Sequence, residues 1–192
     1  MTSTMNSQRG FTLMELMLTL AVFLIISTMS LALMGSAMPG IRANGQASRL
    51  IGLLQTAREM AIARQRDVEL RFDVDQSTVQ LVRHDNGVEV PVSMLIFEYN
   101  VKFTQFTGLG DTPEGYGSGA AIDFGGANPL LFTSDGSLVD GTGVPVSGTF
   151  YLGIESKPDS ARAITVTGST ARARFYRFGA ESGTWEGGWI GK

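Results

Sequence analysis

The stretch RGFTLMEL, Arg9 to Leu16, places a carboxylate inside an apolar run. An acid at the centre of a membrane helix costs about 2.5–3.5 kcal/mol, less near the boundary, and such a residue marks function or a partner. If the chain were cut after Gly10, Phe11 would carry a new α-amino group. Glu15 would then lie one helical turn away on the same face. A carboxylate is favourable near the positive end of its own helix. It could equally pair with the new amine of a neighbouring helix.

Other residues offer less chemistry. One histidine and no cysteine leave little with which to build a zinc site. His84 reads as an exposed turn residue in HDNG. The glycines of GYGSG, Gly115 to Gly119, are followed by neither Lys-Ser/Thr nor a helical pattern, so they do not form a phosphate loop. Asp111, Glu114, Asp135 and Asp140 fall in loops at spacings unlike a calcium-binding EF-hand, and acidic residues are common in turns. No nucleophile–base pair is legible. The chain is therefore expected not to be an enzyme and to hold no cofactor or metal.

One basic stretch stands out. In ARARFYR a strand would put Arg172, Arg174 and Tyr176 on one face, with Arg177 beyond them and Ala173 and Phe175 on the other. Guanidinium groups beside an aromatic ring can hold phosphates and stack a base. The surrounding field does not help. Net charge is −3, and the sequence from Asp135 onward carries six acids and six bases. The bland alternative is a solvated strand face or a contact with a neighbouring subunit.

Long elements must position these residues. From Leu16 to Ile41 there are 26 residues without a charge, more than the roughly 20 that cross a hydrocarbon core. A secretory signal has a shorter apolar region of about 7–15 residues before its cleavage site. Arg9 favours a cytoplasmic N-terminus and an exported C-terminal part. Pro39 is positioned to kink or interrupt the helix near the exported boundary. From Ala43 to Arg66 the apolar residues Ala43, Ala47, Leu50, Leu54, Ala57 and Ala61 recur at helical steps, with the arginines mostly off that stripe. The period then changes to two at Val68, Leu70 and Phe72. Further strands are expected in VEVPV and LIFEYNVKFTQF, then at Ala121–Phe124, Leu130–Thr133, Thr149–Ile154, Ala163–Thr167 and Ala171–Phe178.

With Gly10, Phe11 and Glu15 standing before a membrane-length helix, RGFTLMEL resembles the N-terminal signal of type IV pilins and pseudopilins. LLQTAREMAIARQRDVELRF, from Leu53 to Phe72, and later LLFTSDGSLVDGTG are similar to the GspH/FimT family of minor pseudopilins. The resemblance implies an α+β, lollipop-like fold: a long N-terminal helix, its first half membrane-spanning, packed on a β-rich antiparallel head. The segments would be a leader over 1–10, a transmembrane and assembly helix over 11–38, an exported amphipathic helix over 39–66 and a head over 67–192.

It further implies that a prepilin peptidase cuts after Gly10 and methylates Phe11, with Glu15 as the assembly residue. The subunit would sit in the bacterial inner membrane with its head in the periplasm. It would then join other pilins or pseudopilins in a type II secretion pseudopilus or a type IV pilus, helping to initiate or cap the filament. Many major pilins carry a proline within the membrane helix, whereas none precedes Pro39 here. Some FimT-type pilins bind DNA through a Gly-Arg-x-Arg motif. That makes DNA uptake the alternative, although Ala171 stands where the motif has glycine. A third possibility, a plain membrane-anchored β domain, would be left unprocessed.

Overall fold

Helix α1 (Leu13–Arg64) begins at a cap that the sequence encodes. Thr12 precedes it, and the Glu15 backbone N–H donates to the Thr12 hydroxyl at 3.2 Å, satisfying one of the orphan donors of the first turn. The computed structural model describes residues 11–188, except Asn86. The chain divides into two units, one up to Met38 and one from Pro39 onward.

In the first unit, Leu13–Ser30 is long and apolar enough to cross a membrane, and none of it is buried. Phe11, Leu18, Phe23 and Ile25 are all well exposed. A soluble protein would not leave so continuous an apolar surface in water.

In the second unit, α1 supplies one wall of a core. Ala43, Ala47, Leu50, Ala57 and Ala61 are fully buried and Leu54 nearly so, as the helical spacing in the sequence requires. Of the kink or interruption expected at Pro39, the interruption does not occur, because α1 runs through this residue. A proline removes one backbone hydrogen bond from the ladder and crowds the preceding turn, yet the residues on both sides of it remain helical.

Eleven strands follow among the described residues: β1 (Val68–Asp73), β2 (Thr78–Asp85), β3 (Val88–Ile96), β4 (Val101–Phe103), β5 (Ile122–Asp123), β6 (Leu130–Phe132), β7 (Leu138–Val139), β8 (Gly148–Ile154), β9 (Arg162–Thr167), β10 (Arg172–Gly179) and β11 (Thr184–Gly188). One sheet has the order β3-β2-β1-β6-β7. The other runs β11-β10-β9-β8-β4, with β5 also on β8. The pairings are antiparallel.

Alternation decides which side chains face the core. Val68 and Leu70 from β1, Phe150 and Leu152 from β8 and Ile164 and Val166 from β9 meet the α1 stripe in one cluster. On the opposite face of the second sheet, Tyr151, Ala163, Tyr176 and Trp185 form a smaller cluster, with Phe106 and Leu109 against it. The glycine-rich loop over 107–119 is tied down there, because Trp185 Nε1 donates to the Gly110 carbonyl at 2.7 Å.

Candidate functional site

Gly10 lies outside the described residues; Phe11 and Glu15 are both exposed. Among the described residues the Glu15 carboxylate has no hydrogen-bond or ion-pair partner, while its backbone N–H is held by Thr12. The local sequence Thr-x-x-Glu is a capping-box pattern, a signal that sequence reading could have used to fix the first turn. The site therefore consists of an apolar, unburied helical stretch, Leu13–Ser30, whose one acid sits in the first turn and finds no counter-charge among the described residues.

The arginine strand is real but differently used. Arg172, Arg174 and Arg177 are exposed on β10. Arg174 pairs with Glu114 at 2.9 Å, and Arg177 pairs with Glu186 at 2.8 Å. Tyr176 is only 6% exposed, and its hydroxyl donates to Glu114. Burial and that carboxylate both push its phenol above the usual range. The expected stacking role for Tyr176 does not fit this position, because its ring is packed beneath the glycine-rich loop. Arg172 instead lines a groove of about 380 Å³ with Gln55, Arg58 and Glu59 of α1.

His84 also differs from expectation. It lies within β2 rather than in a turn, and its Nε2 is 2.5 Å from Glu69 Oε2. Glu69, His84 and Glu89 are close enough to share a metal ion, yet Arg71 bonds both carboxylates, reaching Glu89 at 2.6 and 2.8 Å. Burial alone would raise the Glu69 carboxyl, but Arg71 and His84 hold it below the ordinary range. The guanidinium already supplies the positive charge a cation would bring.

The loop acids serve turns. Asp135 accepts from the Ser137 backbone at 2.9 Å, and Asp140 accepts from Thr142 and Val144 at 2.8 and 3.0 Å. Asp111 accepts from the Gly117 backbone at 2.8 Å and the Tyr151 hydroxyl at 3.1 Å.

Sequence reading missed Arg162. It is 2% exposed and donates to Asn44 Oδ1 at 2.5 Å and to the carbonyls of Asp159, Ala161 and Gly40 at 2.9, 2.8 and 3.2 Å. A side chain at Gly40 would place its Cβ 3.0 Å from that guanidinium. No periodicity announces such a clamp, since its partners lie more than a hundred residues apart in the chain.

An unburied apolar helix with one acid in its first turn, leading into a helix-backed antiparallel head, defines a pseudopilin-type subunit. Residues 5–31 match the prokaryotic N-terminal methylation motif, and residues 46–172 match the family described as type II transport protein GspH. The chain belongs to that family. Two solved structures of the minor pseudopilin EpsH from the type II secretion system of Vibrio cholerae are similar to it. One shares 15% identity with a TM-score of 0.49, covering 71% of this chain and 97% of its own. The other shares 14% identity with a TM-score of 0.42, covering 80% and 97%. No curated protein sequence matches this chain.

Proposed function

We propose that the chain is a minor pseudopilin of a type II secretion pseudopilus. It is inserted through its apolar helix with the N-terminus in the cytoplasm and the head in the periplasm. A prepilin peptidase cleaves it after Gly10 and methylates the new amine of Phe11. The observation that carries this reading is Glu15, an exposed acid in an apolar helix with no partner among the described residues. A neighbouring helix bearing an N-terminal amine at Phe11 supplies the missing charge, so each subunit gains by taking the next one.

Two variants separate charge from helix capping. Glu15→Gln keeps a side chain that can reach back to the cap but removes the charge, whereas Glu15→Ala removes both. Both are expected to insert and be cleaved yet to enter filaments poorly, measured as the amount co-purifying with sheared pseudopili. Normal incorporation of Glu15→Gln would remove the charge-pairing role.

A further inference from the structure

The turn joining β3 to β4 carries an exposed aromatic ring on an unfavourable backbone. Tyr99 and Asn100 both have positive φ, 60° and 61°, and the Val101 N–H closes the turn onto the Glu98 carbonyl at 3.2 Å. Turns with two positive φ values favour glycine and asparagine. A tyrosine in the first of these positions is strained, and such strain points toward a role for the side chain. The Tyr99 side chain is not used for packing: the residue is 59% exposed. The Arg42 guanidinium stands over its ring, 5.5 Å from the centroid.

Arg42 is the first charge after the uncharged run that begins at Leu16. Those 26 helical residues measure about 39 Å at 1.5 Å per residue, close to the roughly 40–45 Å of a bilayer with its headgroups. Arg42 is thus the first charge after a stretch long enough to cross the bilayer, and Tyr99 lies beside it. Ile41 and Ile96, flanking this pair in sequence, are 60% and 52% exposed. Glu98, next to Tyr99 in the chain, is paired with Arg49 at 3.4 Å. Tyrosine is favoured at membrane interfaces, where its ring meets the acyl boundary and its hydroxyl meets water. Arginine offers a donor fork that fits a phosphate.

We infer that Tyr99 and Arg42 form an interfacial anchor, docking the head onto the phospholipid surface of the bilayer before the subunit enters a filament. Arg42 holds lipid phosphate while Tyr99 and Ile96 rest among the headgroups, fixing how far the head stands from the membrane. The inference rests on the reading of α1 as membrane-spanning.

The absence of cysteine allows single nitroxide labels on the full chain in phosphatidylethanolamine–phosphatidylglycerol vesicles. Labels are placed at Ile96→Cys, at Val144→Cys on a distant exposed turn and at Leu24→Cys in the apolar helix. Collisions with oxygen, which enters lipid, are compared with collisions with a water-soluble nickel chelate. The expected result is an oxygen-to-nickel ratio at position 96 several-fold above that at 144. Adding Arg42→Gln and Tyr99→Asn, the latter suited to positive φ, should bring it down to the value at 144. A water-like label at 96 beside a lipid-embedded label at 24 would overturn the anchor alone. A water-like label at 24 would overturn the membrane reading and the anchor with it. Protection at 96 that arises only on filament assembly, or that survives both substitutions, would also overturn the anchor.

Discussion

Asp135 shows how a single side chain holds a turn. It accepts from the Thr133 hydroxyl and from the backbone and hydroxyl of Ser137, and these bonds bring its carboxyl down to about 2 from an ordinary value of 3.8. A carboxyl depressed in the folded state contributes stability above its unfolded value, and that contribution is lost as pH falls through the folded value. Acid titration of the full chain in detergent should therefore show a loss between about pH 4 and pH 2 that is smaller in Asp135→Asn. Identical acid profiles would contradict this assignment. Arg162 is a different case, since burial and the neighbouring Arg177 push its guanidinium down to about 10. It stays because four acceptors need it. Arg162→Ala leaves buried carbonyls short of a donor and should cost roughly 2–4 kcal/mol in urea unfolding.

At the scale of elements, α1 was the most legible feature, because a 3.6-residue period repeated over several turns leaves little ambiguity. The stripe from Ala43 to Ala61 is the buried one. Leu50 is fully buried, so Leu50→Ala should lower stability by about 2–5 kcal/mol. Substituting the exposed Gln55 on the same helix should change little, and both are read by urea midpoint. Strands β1 and β10 were readable from alternation, and β8 and β9 were expected within a residue of their observed bounds. Two strands were not. β7 has two residues, too few for a period, and β11 reads TWEGG, whose glycines carry no side-chain pattern. Pro39 does not interrupt α1, although proline breaks many helices. Arg174 and Tyr176 were placed on their shared face by alternation, but the pairing with Glu114 depends on a loop sixty residues away in sequence.

For the whole molecule, membership of the GspH family joins an exposed apolar helix to a head with its own closed core. The N-terminal methylation motif was legible in the sequence because Gly10, Phe11 and Glu15 stand within a few consecutive residues. The interfacial turn was not, because its meaning depends on Tyr99 and Arg42 meeting across more than fifty residues. If the helix end is the assembly device, the leader must be removed while the whole apolar run is kept. The most direct measurement is the intact mass and N-terminal sequence of the chain recovered from membranes, with and without an active prepilin peptidase. The expected product begins at Phe11 with one added methyl group and retains the apolar helix, and without the peptidase the full leader remains. A chain that keeps Met1 to Gly10 in the presence of the peptidase, or one cut beyond Ile41, would contradict the pseudopilin reading.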